Sequence, residues 1–197
     1  MSTAQIGEQD RPRIPVVDSP TEEQAEALRR SALVRDGEPL NIFKTLAHHP
    51  RLLSGMTRLA DVFFRGELSA RDRELAILRT GARLGCAYEL AQHIPFGLAV
   101  GLEQREIDAI CGLEAHHLGA RDEAILAAVD GLLTHDTIDD DAWAGLSAMY
   151  SRPQILELIF LVGFYRMLAG FLVSVRVAIE PNAFELPLFP PSTPAAT

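Results

Sequence analysis

The sequence predicts an all-α fold, and three observations carry that prediction. Apolar residues recur at three- and four-residue steps in one segment after another, as in Ile42, Leu46 and Ala47 or Ile125, Val129, Leu132 and Leu133. No stretch of any length alternates apolar and polar residues as a half-buried strand would. Capping side chains, prolines and glycines stand where these helical segments would begin and end.

Taken in order, residues 1–20 carry Pro12, Pro15 and Pro20 among polar residues and form an extended or disordered arm. A single helical domain spans 21–180. Thr21 caps its first helix, which runs through EEQAEALRRSALV with acids in the first turn and arginines later, as the helix dipole favours. Gly37 and Pro39 break it, Asn41 opens a short second helix, and Pro50 marks a boundary before the apolar run from Leu52 to Phe64. Gly66 closes this section. After the central stretch treated below, Glu103 to Cys111 is a short helix and 112–119 a loop. Arg121 to Leu133 is a further helix, and Asp139 or Asp140 caps the next, which carries Trp143, Leu146 and Met149. Ser151 and Pro153 start a last long helix reaching to about Ala178.

That last helix is apolar nearly all round. Glu157 and Arg166 lie inside it, and a charge in a bilayer core costs ~2.5 kcal/mol or more, so burial by neighbours or by a partner subunit is expected over a membrane span. The tail, 181–197, is Pro-rich and extended, with Phe184, Leu186, Leu188 and Phe189 available to dock on a neighbouring surface.

Composition sets outer bounds. A chain of 197 residues with 48% hydrophobic content is long enough for one full core. Its formal charge is −9, from 27 acidic and 18 basic residues, and no basic run is present, which argues against nucleic acid as a partner. Two cysteines do not make a disulfide scaffold, and the opening MSTAQIGEQDRPR holds no apolar signal segment, so the cytoplasm is the default location.

The reactive side chains concentrate in Ser69 to Gly101. Ser69 followed by Asp72 has the spacing of an N-terminal cap, so a helix begins there. Along it Glu74, Ile77, Leu78, Gly81 and Gly85 share one side while Arg79, Thr80 and Arg83 share the other, which places Glu74 on the apolar stripe. Gly85 interrupts the helix. A second helix then carries Cys86, Glu89 and His93 at steps of three and four, so a thiol, a carboxylate and an imidazole share a face. Pro95 removes the backbone bond back to Ala91 and is expected to kink this helix just after His93.

The phrases RDRELAILR and GCAYELAQH resemble the core motif of the carboxymuconolactone decarboxylase and alkyl hydroperoxidase D superfamily. In the peroxidase branch a Glu is followed twelve residues later by a Cys-x-x-Cys pair, with a His four residues after the second Cys. Here Glu74 stands twelve before Cys86 and His93 seven after it, so three of the four positions match. Glu89 stands where the second cysteine would be, which removes the disulfide on which the family's thiol peroxidase mechanism rests. The resemblance implies an alkyl hydroperoxidase D-like helical bundle that assembles as a homotrimer or homohexamer with sites near subunit contacts. It implies no metal, and no glycine-rich phosphate motif suggests an organic cofactor.

Each site residue has a plain structural reading beside the catalytic one. Glu74 either pairs with an arginine such as Arg71 or Arg166 or transfers protons; Cys86 is either a small core residue or a site thiol. Glu89 beside Cys86 disfavours thiolate, whereas with Glu74 it forms a pair of acids that supplies one donor and one acceptor. His93 is either a satisfied core histidine or part of that site. Tyr88 and Gln92 flank the cluster and either position substrate or face solvent. Arg166 is the candidate to meet a substrate carboxylate or Glu74. His48 and His49 precede a proline at a helix end, His116 and His117 lie in a loop with no third ligand at helical spacing, and His135 is a helix-end residue.

These residues point first to cofactor-free acid–base chemistry, namely decarboxylation, isomerisation or elimination, on a small oxygenated acid or lactone, with Glu74, Cys86, Glu89 and His93 at the centre. A thiol-dependent hydroperoxide reductase using Cys86 is the second reading, and a non-catalytic helical assembly protein the third.

Overall fold

The computed structural model describes residues 11–30, 34–35, 37–113, 117–181 and 183. Among them are nine helices and one two-residue antiparallel ladder. The described residues divide into two compact units, one made of residues up to 62 together with 170–181, the other of 63–169 and 183.

In the first unit, Thr21 accepts the Gln24 N–H and the Gln24 side chain accepts the Thr21 N–H, so a complete capping box opens α1 (Glu22–Arg29). The helix stops at Arg29, five residues before the end expected from sequence. A hairpin takes over, with β1 (Val34–Arg35) and β2 (Glu38–Pro39) pairing as Val34↔Pro39 and Arg35↔Glu38. Gly37 at φ +83° makes its turn, a conformation that suits glycine and closes tight hairpins. Two residues per strand leave no alternation to read, which is why a purely helical chain was expected.

Beyond the hairpin, α2 (Asn41–Leu46) is tied to the 170–181 segment, because the Asn41 N–H donates to the Glu180 carboxylate at 2.6 Å and its amide to the Ala178 carbonyl at 2.9 Å. Pro50 is the first residue of α3 (Pro50–Phe64), where its missing N–H leaves no helical bond unmade. The His49 ring nitrogen Nδ1 accepts the Leu52 N–H at that start, and His48 Nε2 meets the Pro15 carbonyl at 3.0 Å. Both histidines thus have structural partners. The part of the N-terminal arm in view is extended and held by its backbone: Arg13 N–H bonds to Val175 and Val17 N–H to Lys44.

The second unit is built around α4 (Ala70–Arg83), which packs on α5 (Ala87–Ala99), α6 (Gln104–Ile110) and α7 (Ala120–His135). Leu75, Ala76, Ile77 and Leu78 of α4, Leu90 of α5, Ile107 and Ile110 of α6, and Ile125 and Val129 of α7 are all 1% exposed or less. Helix α8 (Asp140–Met149), capped by Asp139, packs on α7. The face of α4 expected to be wet is instead used in packing. Arg79 and Arg83 both clasp Asp130 of α7 at 2.6–2.8 Å, and Thr80 is buried. Arg71 grips Asp122 of α7 and Glu106 of α6, and Arg121 of α7 reaches back to Asp72.

The last helix, α9 (Arg152–Val175), is long and apolar enough by length and composition to cross a membrane. Its stretch in the second unit buries Leu158, Leu161, Val162, Phe164 and Tyr165, while Leu156, Phe160 and Met167 stand 56–67% exposed. Glu157 does not face lipid or core alone: its carboxylate accepts the N–H groups of Glu67 and Leu68. The tail residues Phe184, Leu186, Leu188 and Phe189, residues 1–10 and His116 lie outside the described residues.

Candidate active site

Ser69 Oγ accepts the Asp72 N–H and starts α4, one turn before Glu74. At the other end Gly85 has φ +62°; its N–H bonds to the Ala82 carbonyl and the Cys86 N–H to the Gly81 carbonyl. That crossed pair is a Schellman closure, and glycine is the residue whose backbone permits it. The chain reverses there, and Cys86 becomes the N-cap of α5. The helices then approach closely at Gly81, where a Cβ would lie 3.3 Å from the Glu89 Cβ. Sequence spacing and this tight turn together bring Glu74 of α4 against Glu89 and His93 of α5.

Glu74 Oε2 lies 2.7 Å from His93 Nδ1. The opposite ring nitrogen, Nε2, is 3.5 Å from Glu89 Oε2 and 3.3 Å from the Tyr165 hydroxyl. Glu74, Glu89 and His93 are 1%, 5% and 6% exposed, so the array carboxylate–imidazole–carboxylate is buried. Pairing with Glu74 fixes Nδ1 as the N–H and leaves Nε2 as the nitrogen that gains or loses a proton. The Tyr165 ring stands edge-on to the imidazole at 5.2 Å and Phe96 packs at 5.8 Å, so aromatic walls hold the ring in place.

Protonation follows from this burial. Desolvation pushes Glu89 up to about 7; the positive His93 opposes that rise and the Glu74 charge adds to it. For His93 burial alone would lower the pKa, but the hydrogen bond and charge of Glu74, with Glu89 behind them, outweigh it and hold the imidazole above its ordinary value. Burial, reinforced by both carboxylates, keeps Tyr165 a neutral hydroxyl. Cys86 is 1% exposed, and burial first, then the Glu89 charge, push its thiol up to about 12; the backbone N–H groups of Glu89 and Tyr88 only partly offset this. The general tendency of a helix start to favour thiolate is overridden by desolvation. Cys111, also a free thiol, is likewise pushed up to about 12, chiefly by burial.

Of the residues singled out in sequence, Glu74, Cys86, Glu89 and His93 gather in one buried cluster, and Tyr88 and Gln92 beside them are buried, not solvent-facing. Arg166 is not part of it. It is about half exposed and pairs with Asp136 at 2.5 Å, because its face of α9 turns toward the end of α7. Nor does Arg71 meet Glu74, being engaged by Asp122 and Glu106. The cation beside Glu74 is Arg73, whose Nε lies 3.4 Å from Oε1 and whose guanidinium stacks 4.8 Å over the Phe64 ring. Sequence reasoning missed Arg73 and Tyr165. Arg73 adjoins Glu74 in the chain and was within reach of the sequence, whereas Tyr165 comes to His93 from 72 residues away.

Among the described residues no group of three His, Cys, Asp or Glu side chains is arranged to hold a metal ion. A cleft of about 720 Å³ in the other unit, lined by Glu23, Glu26, Arg30, His49, Arg51 and Arg58 among others, contains none of the clustered residues.

Residues 50–131 match the carboxymuconolactone decarboxylase family. No curated protein matches the chain in sequence. Among solved structures, an uncharacterised peroxidase-related protein from a Silicibacter species superposes with a TM-score of 0.74 at 16% identity, covering 91% of this chain and 96% of that one. A peroxidase-related protein from Ralstonia eutropha with an alkylhydroperoxidase AhpD core gives a TM-score of 0.73 at 16% identity over 86% of this chain and 93% of that one. A debrominase, Bmp8, crystallised with tribromopyrrole, gives a TM-score of 0.69 at 13% identity over 86% and 91%. At these identities the likeness is one of fold.

Proposed function

We propose that this chain, whose residues 50–131 match the carboxymuconolactone decarboxylase family, is an enzyme of cofactor-free acid–base chemistry. The reaction class is decarboxylation, isomerisation or elimination next to a carbonyl, on a small oxygenated acid or lactone. The buried Glu74–His93–Glu89 array carries this reading. Glu74 orients the imidazole and stabilises its cation. Nε2 of His93 takes up the proton that the substrate loses, and Glu89, poised near neutrality, returns a proton to the developing oxyanion or carbanion. Tyr165 and Phe96 fix the ring, and Tyr88 and Gln92 border the substrate. The same fold in a debrominase bound to tribromopyrrole is a reason to include small unsaturated rings in a substrate screen.

The thiol peroxidase reading is disfavoured by the same geometry. Attack on a peroxide needs thiolate, and a sulfur pushed up to about 12 beside a carboxyl stays almost wholly protonated near neutral pH. The exposed line Leu156, Phe160 and Met167 on α9 supports self-assembly, with a second copy covering it.

The test is turnover across a panel of lactones, keto acids and unsaturated ring compounds, read as substrate loss and as deuterium uptake from solvent. Glu74→Gln and His93→Gln are each expected to lower the rate of whichever compound reacts by about 10²–10⁴-fold. Undiminished turnover in both variants would remove the array from the mechanism.

A further inference from the structure

One polar atom of the cluster has no partner. Glu89 Oε2 faces His93 Nε2, but Oε1 of the same carboxyl is buried and accepts or donates no hydrogen bond among the described residues. Buried oxygens in folded proteins are paired with few exceptions, so an orphan beside a catalytic-type array marks where a ligand atom completes the pairing. We infer that the site binds an uncharged carbonyl compound whose carbonyl oxygen accepts a hydrogen bond from Glu89 Oε1. This rests on the acid–base reading in taking the cluster as the substrate site, and it narrows the substrate to neutral compounds.

The direction of the bond follows from the neighbours. Glu74, His93, Tyr165 and Cys86 act on or adjoin the Glu89 carboxyl, and Arg73 lies beyond Glu74. Nδ1–H of His93 is committed to Glu74, and the neutral Tyr165 hydroxyl at 3.3 Å donates to Nε2 when the imidazole is neutral. With Nε2 so engaged, the open direction for a Glu89 proton is Oε1. The carboxyl retains that proton up to about neutral pH, because burial first and the Glu74 charge second oppose its ionisation against the pull of His93. Oε1–H is then a buried donor that an acceptor oxygen satisfies.

Charge selects against an anion. The positive His93 is matched by the Glu74 carboxylate at 2.7 Å, and the Cys86 thiol brings no positive charge. Arg73 is drawn to Glu74 and stacked on Phe64, and Arg166, the cation expected to receive a substrate carboxylate, is paired with Asp136. A ligand carboxylate at Oε1 would be desolvated with none of these cations left free to match it, whereas a ketone or enone oxygen carries no charge to match.

Cyclopentenone, isotopically labelled at its carbonyl, is the probe, and cyclopentenecarboxylate is the anionic counterpart. Both are titrated into the intact protein and into Glu89→Gln and Glu89→Met, with binding followed by calorimetry and the bound carbonyl band by infrared difference spectroscopy. The wild-type protein is expected to bind the ketone in preference to the carboxylate and to shift the carbonyl band to lower frequency. Glutamine, which still donates, keeps the shift; methionine loses it and weakens binding about tenfold. Raising the pH through about 7 removes the donor from the wild-type protein, so its affinity falls there, while that of Glu89→Gln stays level.

Circular dichroism checks that the methionine variant folds, and the wild-type pH profile against that of Glu89→Gln decides the matter if it does not. Preference for the carboxylate, absence of ketone binding, an unshifted band, or a level pH profile in the wild-type protein would each overturn the inference. A shifted band without any Glu74-dependent turnover would instead overturn the acid–base reading alone. Glu74-dependent turnover restricted to anionic substrates would overturn only the neutral-carbonyl inference.

Discussion

Cys86 shows how burial and charge decide the behaviour of a cysteine. At the start of α5, two backbone N–H groups aim at the sulfur, a placement that favours thiolate in an exposed setting. Here the sulfur is 1% exposed and Glu89 adds a negative neighbour, so the thiol stays protonated. Brief exposure of the reduced protein to an alkyl hydroperoxide should therefore leave its intact mass unchanged, with Cys86→Ser and Cys111→Ser giving the same result. Rapid, dithiol-reversible oxidation confined to Cys86 would restore the redox reading. Residue-level legibility in the sequence was uneven for a physical reason. Glu74, Glu89 and His93 were found because their register depends only on helix periodicity and on the Gly85 reversal. Partner choice among the arginines was not legible, because Arg71 and Arg166 are drawn off by Asp122, Glu106 and Asp136, acids that only tertiary packing brings near.

Among the elements, α4 and α5 form the part on which everything else depends, and α9 completes it. Ser69 starts α4, Gly85 ends it, and the absence of a side chain at Gly81 lets α5 approach closely enough for Glu74 and His93 to bond. All three signals are local and could be read from the sequence. Tyr165 could not, since it meets His93 across 72 residues of chain. The end of α1 was missed because the hairpin that replaces it has strands of two residues, too short for periodicity to register. Helix α9 was expected to be covered by neighbours, and its inner face is, but Leu156, Phe160 and Met167 remain 56–67% exposed at helical spacing. A charge placed at the centre of that line should disrupt the proposed self-assembly: Phe160→Glu is expected to shift the protein to a smaller assembly in sedimentation velocity while leaving the circular dichroism spectrum unchanged. An unaltered assembly size would contradict self-assembly through this face.

At the scale of the whole molecule, acidic side chains have two separate jobs. Asp72, Asp122 and Asp130 face arginines and fasten the helices of the second unit to one another. Glu74 and Glu89 face an imidazole in a desolvated centre, where charge is costly and a proton is shared. The net charge of −9 distinguishes neither role, and the division between them depends on which acids the packing brings to an arginine. The most direct measurement is an NMR titration of the protein with nitrogen-labelled histidine between about pH 5 and about pH 9. His93 should keep Nδ1 protonated throughout and lose its charge from Nε2 at a pH above that of an ordinary histidine, and Glu89→Gln should lower that pH by removing one of the charges that hold it up. An imidazole that is neutral at every pH, carries its proton on Nε2, or titrates identically in Glu89→Gln would contradict a shared proton between Glu74, His93 and Glu89.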